Sequence, residues 1–578
     1  MLVFVFYCLM GLGSAANSSD QIQYFCRRFE HRTTVVNNKL YIDGGKWNQN
    51  AALALQIPQM ENLTNTDLLY SDLLVVDGPM PKMQYAPSTK AQVPSLSGGA
   101  LWADEINSRF YAFGGYQVNG TPPAFQTWSY DTSRNTWESI TTTGDLVTSV
   151  AHGMSAIAPD AGTAFYLGGY HDSSTNQGWM TSRRYTPNLI EFDLVNRRYT
   201  NHSGPNSDGR GEGLMVFVPA SNVGLLIYFG GLVQSTNEAT IANMAMDTIW
   251  IYDISLHKWY QQKATGDVPE PRSRFCGTVA WPDDKSSFNM YMLDPSLNPI
   301  LTHFSYFYGG LAQNGTAFDD LYLLSLPSFT WLRLFSGEPR FGHHSMTCDI
   351  INGTQMIVMG GTFPSIDTCD APEVKGQHNV DMGTIMMPGA LWYGFNQNNP
   401  PYRVPDVLVN VIGGTVRGGA NITGPKSNRT YDRYLFEKEY KVPQRYPTPV
   451  SAASATAGPT PKGLSRGVLV GIIVGSIAGG VLIGLGVFYF VHIVRRRARG
   501  QEPGNSDNSH VEVVADRDTS DDGVLSELQD NKVNEMENIR SSEMAGHPVA
   551  EMWAEPAELA GHVVAGREGG GNSAHVAR

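Results

Sequence analysis

Two adjacent histidines, His343 and His344, are the residues of this sequence that most resemble a metal-binding pair. Neighbouring side chains of a strand point to opposite faces, so these two imidazoles are poorly placed to hold one ion. A Gly-x-Ser-x-Gly string runs from Gly463 to Gly467, but it does not lie on the strand-to-helix turn that presents a catalytic serine. Cys-x-x-Cys, His-Glu-x-x-His and phosphate-loop patterns do not occur in the sequence. The sequence therefore predicts no catalytic residue, no metal site and no cofactor.

Four cysteines follow the first sixteen residues. Cys348 and Cys369 flank a short apolar segment, and an oxidising compartment favours their pairing. We therefore predict a Cys348–Cys369 disulfide. Cys26 and Cys276 could pair with each other or stay free and buried, and the sequence leaves both alternatives open.

Both ends of the chain indicate the secretory pathway. Residues 1–16 are apolar and close on the small residues Ser14 and Ala16, which predicts a signal peptide. Residues 467–494 contain no Asp, Glu, Lys or Arg and exceed the roughly 20 residues that cross a bilayer. Four arginines follow within 495–499, and positive charge marks the cytoplasmic side. The sequence predicts a type I single-pass protein, with its N-terminus outside, in the plasma membrane or another secretory-pathway membrane.

N-glycosylation sequons agree with that orientation. All eight precede the predicted span, as expected of a glycosylated extracellular part. Their asparagines are Asn17, Asn62, Asn119, Asn201, Asn314, Asn352, Asn421 and Asn428.

Composition narrows the class of protein. The 578 residues include 60 glycines, 11% aromatic residues and only 16% charged residues, a balance typical of strand-rich, turn-rich chains. The formal net charge of −13 makes nucleic acid an unsuitable partner, because phosphate binding needs clustered Lys and Arg. Residues 441–466 are rich in Pro, Ser, Thr and Ala and predict an extended stalk. The acidic residues after the arginine cluster, within 495–578, predict a disordered cytoplasmic tail.

Internal repeats carry most of the structural information. Six times a short apolar segment ends in two glycines, and the spacing between the pairs varies as it would with loop insertions between constant strands. The pairs are Gly44 and Gly45, Gly114 and Gly115, Gly168 and Gly169, Gly230 and Gly231, Gly309 and Gly310, and Gly360 and Gly361. In four repeats an aromatic residue follows a small polar residue by six positions: Asp131 to Trp137, Asp193 to Tyr199, Asp253 to Trp259, and Ser325 to Trp331. A further strand is expected upstream, beginning near His31, Gly98, His152, Gly211, Arg274 and His343.

This pattern resembles the kelch repeat, in which each unit forms one four-stranded blade of a β-propeller. The resemblance covers roughly residues 26–415 and implies an all-β fold within an extracellular domain over 17–440. Six blades follow from the glycine pairs. Seven blades are the alternative, because the apolar segment Val409 to Ile412 also ends in two glycines, Gly413 and Gly414. We interpret that segment as a closing or capping strand.

The whole arrangement is similar to the single-pass kelch-repeat membrane proteins of filamentous fungi. Their usual description is as cell-surface or wall-associated proteins, and the resemblance implies no established biochemical activity. Because the sequence contains no catalytic constellation, we expect a non-enzymatic scaffold whose propeller binds an extracellular protein or polysaccharide. The alternative is an extracellular oxidase or carbohydrate-active enzyme, because galactose oxidase shares the kelch propeller. Its copper ligands find no residue-by-residue match here.

The predicted span also contains a dimerisation pattern. Gly467, Gly471, Gly475 and Gly479 recur every four residues and would form one stripe of a helix. Such Gly-x-x-x-Gly stripes permit close packing of two membrane helices. A homodimer through these glycines and a monomeric Gly-rich span are both open.

Overall fold

The computed structural model describes residues 20–448, with gaps at 51–61, 89, 91, 237–239, 293–308, 337–341, 365, 384–392, 426–433 and 442. The chain divides into two compact units, Met1–Ala455 and Thr456–Arg578, and every described residue belongs to the first. The predicted signal peptide (1–16), membrane span (467–494) and tail (495–578) lie outside the described residues, as does most of the stalk. No helix within the described ranges is long and apolar enough to span a bilayer.

Antiparallel sheets make up most of the described chain, and each is built from strands that follow one another in sequence. The first three sheets comprise Arg32–Val36, Lys39–Asp43, Leu68–Asp77 and Met80–Tyr85; Ala100–Asp104, Arg109–Phe113, Thr127–Asp131 and Thr136–Ile140; and Met154–Ala158, Thr163–Leu167, Leu189–Asp193 and Arg198–His202. The next three comprise Leu214–Val218, Leu225–Phe229, Thr248–Asp253 and Lys258–Lys263; Gly277–Ala280, Phe288–Met292, Asp320–Leu326 and Thr330–Ser336; and Thr347–Ile351, Gln355–Met359 and Gln377–Asp381. Short edge strands Thr143–Gly144 and Thr265–Gly266 pair in parallel with the fourth strands of the third and fifth sheets. The fold is an all-β, kelch-like propeller with few helices.

The six-residue interval between a small polar residue and an aromatic residue corresponds to a hairpin in the structure. It places Tyr130 directly opposite Trp137, and the same pairing recurs in the third, fourth and fifth sheets. The Asp131 carboxylate accepts hydrogen bonds from the backbone N–H groups of Ser133 and Arg134, at 3.0 and 2.9 Å. An aspartate therefore closes the turn, and the aromatic residue packs where the strands pair.

The glycine pairs join each sheet to the next one. In all six repeats the second glycine donates its N–H to a backbone carbonyl just before the next inner strand, the acceptors being Leu96, Val150, Arg210, Arg272, His343 and Arg28. A Cβ atom on Gly114 would lie 2.5 Å from the same Val150 oxygen, and its φ is +61°. Glycine is therefore required there for both conformation and space. In the fifth sheet, the segment 306–308 before Gly309 lies outside the described residues, and the second strand is Phe288–Met292.

The inner strands follow one another around a closed circle, because the sixth lies beside the first. Apolar side chains fill the space between each sheet and its neighbour, including the last and first sheets, where Leu40 and Ile42 pack with Ile357 and Met359. The core therefore consists of layers between sheets, and each sheet depends on both neighbours for burial.

The predicted Cys348–Cys369 disulfide is wrong. The structure joins Cys26 to Cys369 and Cys276 to Cys348, with Cα–Cα distances of 4.4 and 5.5 Å. Cys348 lies on the inner strand of the sixth sheet and faces the fifth sheet, where Cys276 precedes the inner strand. Cys369 lies instead beside the N-terminal strand Phe25–Phe29, whose Cys26 carbonyl accepts the Asp370 N–H at 2.7 Å. The two bridges therefore link neighbouring sheets and close the circle.

The interpretation of Val409 to Ile412 as a closing or capping strand is also wrong, because these residues belong to the helix Asp406–Ile412. Leu408 and Ile412, four positions apart, are buried on one face of the helix against the fifth and sixth sheets. Four-residue spacing matches the period of a helix, and Pro405 precedes its first turn. The apolar residues that resembled a seventh strand ending in a glycine pair thus contribute the buried face of this helix.

Residues 402–425, 434–441 and 443–448 form a C-terminal strap across the hairpins that join first and second strands. A short helix, Tyr434–Glu437, buries Leu435 against the fourth and fifth sheets. The strap contacts hairpin residues of four sheets: Gly419 N to Asp284, Lys441 N to the Asn222 carbonyl, Tyr440 OH to Asp160, Arg445 to Asp104, and Thr448 N to Asn107. Contact with the propeller thus continues to Thr448, eight residues past the predicted domain boundary at 440. We call this end of the propeller the hairpin face.

Candidate functional site

A closed cycle of backbone hydrogen bonds surrounds the propeller axis at the end opposite the hairpin face. Each of six residues donates its N–H to the carbonyl of its counterpart in the preceding sheet, over 2.7 to 2.9 Å. All six have positive φ, between 55° and 66°. The members are Glu30, Gly98, His152, Glu212, Arg274 and Ser345. Five non-glycine residues in this sparsely populated conformation indicate that the surrounding sheets hold them there, and such residues are concentrated at functional sites.

Four of these residues carry side chains that form one ionic network. Arg274 binds both oxygens of Glu212, at 2.8 and 3.1 Å, and its Nη1 lies 3.5 Å from Glu30 Oε1. Lys46 Nζ lies 2.9 Å from Glu30 Oε2, and His152 Nε2 lies 3.9 Å from Glu30 Oε1. Two carboxylates thus meet two permanent cations. We call Glu30, Lys46, His152, Glu212 and Arg274 the central cluster.

Two tyrosines complete the hydrogen bonding of the carboxylates. Tyr116 donates its hydroxyl proton to Glu30, and Tyr185 donates to Glu212 Oε1 at 3.1 Å. The His152 ring stacks between Tyr116 and Tyr170, with ring centroids 5.7 and 5.8 Å away. The networked carboxylates and the stacked imidazole are therefore held in fixed positions.

The protonation states follow from these contacts. Burial would raise the pKa of Glu30, but His152, Lys46 and the Tyr116 hydroxyl lower it to about 2. Burial would likewise raise the pKa of Glu212, but the contact with Arg274 lowers it by more. The pKa of Glu212 is therefore also below its ordinary value. Burial lowers the pKa of His152 despite Glu30, and it raises the pKa of Tyr116. Near neutral pH the central cluster therefore has balanced charge and no member poised to exchange a proton, which suits binding better than acid–base catalysis.

The segments after the second strands surround this cluster. Their described residues are 46–50, 62–67, 116–126, 170–188, 232–236, 240–247, 311–319, 362–364 and 366–376, and together with the glycine pairs they define what we call the loop face. Parts of them form small sheets of their own: Phe25–Phe29 with Lys46–Gln49 and Leu63–Thr64, Tyr170–His171 with Arg184–Tyr185, and Gly209–Gly211 with Leu232–Gln234 and Ile241–Asn243. A pocket on this face is lined by Arg32, Leu96, Pro122, Pro123, Phe125 and Trp128, among others.

The structure separates the two adjacent histidines. His343 is fully buried, and its Nε2 lies 3.8 Å from the buried Asp370. His344 instead turns toward Ser345, with its Nδ1 2.9 Å from the hydroxyl. The pair is therefore not arranged around a common ion.

Six of the eight sequon asparagines fall within the described residues, and each is exposed: Asn62, Asn119, Asn201, Asn314, Asn352 and Asn421. Asn17 and Asn428 lie outside those residues. Glycosylation itself stays a prediction, for which the exposed positions are a necessary condition.

Sequence reasoning missed the central cluster, although it came within one or two residues of it. The expected strand starts included His152 and Arg274, but elsewhere they fell on neighbours such as His31 and Gly211 instead of Glu30 and Glu212. A usable signal was available, because each cycle member lies two residues after the carbonyl that binds a glycine pair. Aligning the repeats on that contact would have grouped all six.

Sequence comparisons with known proteins agree with the repeat geometry. A family model described as the KLHDC2/KLHL20/DRC7 kelch-repeats domain matches residues 30–287. A kelch repeat-containing protein of Arthroderma benhamiae is 29% identical over 461 residues, which cover 69% of this chain and 65% of that relative. The solved structure of YjhT is 13% identical, covers 62% of this chain and 97% of its own, and superposes with a TM-score of 0.41. Residues 30–287 are thus similar to a kelch-repeats domain, in agreement with the recurring glycine contact between sheets.

Proposed function

We propose that this protein is a non-enzymatic interaction module at the cell surface, whose loop face binds another protein. The observation that carries the proposal is the central cluster, a charge-balanced, pre-organised set of polar groups at the centre of the loop face. The hairpin face is occupied by the C-terminal strap, which leaves the loop face as the accessible end. We take the six sheets as the complete set of blades, because the backbone cycle closes on six members.

A protein is favoured over a polysaccharide by the state of two tyrosines around the central cluster. Sugar rings stack on free aromatic faces, whereas Tyr170 and Tyr185 are only 2% and 5% exposed. One face of Tyr170 is covered by the guanidinium of Arg183, 3.7 Å from the ring centroid. Arg183 and Arg274 keep partly exposed donors that suit the carbonyl and carboxylate groups of a protein.

Two arginines give a matched pair of variants for the test. Arg183 lies on the loop face with a side chain 44% exposed and pairs with Asp172. Arg134 lies in a turn at the hairpin face, is 60% exposed and pairs with Asp131. The immobilised full-length chain, Arg183→Glu and Arg134→Glu would each be incubated with a cell-wall protein extract, and bound proteins quantified by mass spectrometry. Soluble β-glucan and chitin oligomers would be titrated separately.

We expect the wild-type chain to recover a defined set of proteins. Their recovery should fall about tenfold on Arg183→Glu and stay unchanged on Arg134→Glu. A tenfold loss is the size expected when one charge-assisted contact of about 1.4 kcal/mol is removed. Equal recovery by the two variants would contradict the placement of the binding surface. Glycan binding that depends on Arg183 would show that the partner is a polysaccharide and not a protein.

We also propose that the protein is a glycosylated type I membrane protein, anchored by residues 467–494. Support comes from the apolar segment with its arginine cluster and from the six exposed sequon asparagines. Treatment with an endoglycosidase should increase electrophoretic mobility, and alkaline carbonate should leave the chain in the membrane pellet. A chain that carbonate extracts without detergent would refute the anchor.

A further inference from the structure

Three metal-ligating side chains meet where the outer strands of the third and fourth sheets lie side by side. Glu191 lies on Leu189–Asp193 and His202 ends Arg198–His202, both in the third sheet. His257 lies in the turn before Lys258–Lys263 of the fourth sheet. One potential ligand atom from each residue lies within 4.8 Å of the others. None of the three belongs to the central cluster.

Strand register explains why the two side chains of the third sheet share a face. Leu189 pairs with His202 and Glu191 pairs with Thr200, so Glu191 and His202 are diagonal neighbours. His202 Nε2 lies 2.7 Å from Glu191 Oε2. Side chains alternate along a strand, so the exposed sequon residue Asn201 points to the other face and leaves the cluster clear.

The neighbouring sheet supplies the second imidazole. His257 has a φ of +51°, the left-handed conformation of its turn. Its ring lies nearly parallel to that of His202, with centroids 4.9 Å apart and an interplanar angle of 16°. Tyr252 OH lies 3.0 Å from His257 Nδ1 and leaves Nε2 for an ion. Metal-bound histidines commonly have their second nitrogen fixed by such an outer contact.

We propose that Glu191, His202 and His257 bind a zinc-class divalent metal ion. Two imidazoles and one carboxylate are a donor set that zinc accepts, whereas magnesium and calcium prefer oxygen ligands alone. Zinc–ligand distances of roughly 2.0 to 2.2 Å require small rotamer changes that draw the three atoms together. The His202 and Glu191 side chains are 19% and 22% exposed and His257 is exposed, so solvent can reach the ion.

The site would join two sheets at their outer edges, where no glycine pair or disulfide links them. Three protein ligands leave a fourth position for water or for a donor from a partner. Binding should therefore be exchangeable, and it should stabilise the folded chain in proportion to the zinc concentration. The inference does not depend on what the loop face binds.

The test uses the purified full-length chain, stripped with a chelator and titrated with zinc chloride by isothermal calorimetry. Four variants would be compared: His257→Gln, Glu191→Gln, Tyr252→Phe and, as a matched control, Glu138→Gln. Glu138 lies on the fourth strand of the second sheet, away from the site, and it pairs with Arg109 at 2.9 Å. Melting temperatures without metal show whether each variant is folded.

We expect one zinc per wild-type chain that raises its melting temperature. His257→Gln and Glu191→Gln should lose this binding, whereas Glu138→Gln should keep the wild-type affinity. Tyr252→Phe should bind about tenfold more weakly, because it removes only the outer contact. Zinc binding that His257→Gln leaves unchanged, or wild-type chain that takes up no stoichiometric zinc, would overturn the proposal.

Discussion

Replacing Asp349 with asparagine is expected to stabilise the protein at neutral pH and to have no effect in acid. Asp349 lies on the inner strand of the sixth sheet, where the Thr33 hydroxyl of the first sheet donates to its Oδ2 at 2.6 Å. Burial raises its pKa from 3.8 to about 6, although the Thr33 hydrogen bond opposes this shift. The carboxylate is therefore less stable in the folded chain than in water, and an asparagine can still accept the same hydrogen bond.

The pH dependence follows from the direction of that shift. Below the unfolded pKa, Asp349 is protonated in both states and contributes nothing to the pH dependence. As pH rises through the window from 3.8 to about 6, the unfolded chain loses its proton first, and stability falls. The difference corresponds to about 3 kcal/mol once both states are ionised. Solvent reaches part of the side chain, so we expect Asp349→Asn to gain about 1–3 kcal/mol at pH 7.

Urea unfolding of the wild-type chain and Asp349→Asn, at several pH values between about 4 and 8, would measure this difference. Asp367→Asn is the control, because that side chain is 93% exposed and its substitution should change little at any pH. A gain that grows from pH 4 and levels off above pH 6 is expected. A destabilised Asp349→Asn at pH 7, or a gain that is independent of pH, would refute the reasoning.

Four further variants test the closure, the central cluster and a glycine pair. Replacing Cys26 and Cys369 with serine opens a loop of 343 residues and should cost up to about 6 kcal/mol, against about 4 for the second bridge, which spans 72. Thermal unfolding of both double variants would rank them, and non-reducing peptide mapping would check the pairing. Glu212→Gln should destabilise by about 3 kcal/mol in urea, because Arg274 loses its bidentate partner. Gly114→Ala should lower stability by about 2 kcal/mol by the same measurement, and an unchanged midpoint would contradict the close approach.

The sequence alone determined the local units of this protein. Asp131 and Trp137 marked the repeated unit because a turn and the two residues flanking it are neighbours along the chain, and the structure shows this turn in a hairpin. Glycine pairs such as Gly114 and Gly115 indicated a tight backbone approach, since few other residues tolerate their conformation. The recurrence of both signals was enough to predict an all-β, kelch-like propeller. These signals depend on a few consecutive residues and survive insertions of any length between them.

Tertiary structure decided which of these units meet. Cys369 pairs with Cys26, 343 residues away, because the last sheet returns beside the first, whereas nearness in sequence favoured Cys348. The helix at Asp406–Ile412 forms because its apolar face has two sheets to pack against, although the same letters resemble a strand. In the central cycle the backbone makes the repeated contact, so the side chain is free to differ from sheet to sheet. No repeated residue type therefore marked Glu30, Glu212 or Arg274 in the sequence, and only closure of the propeller brought their charges together.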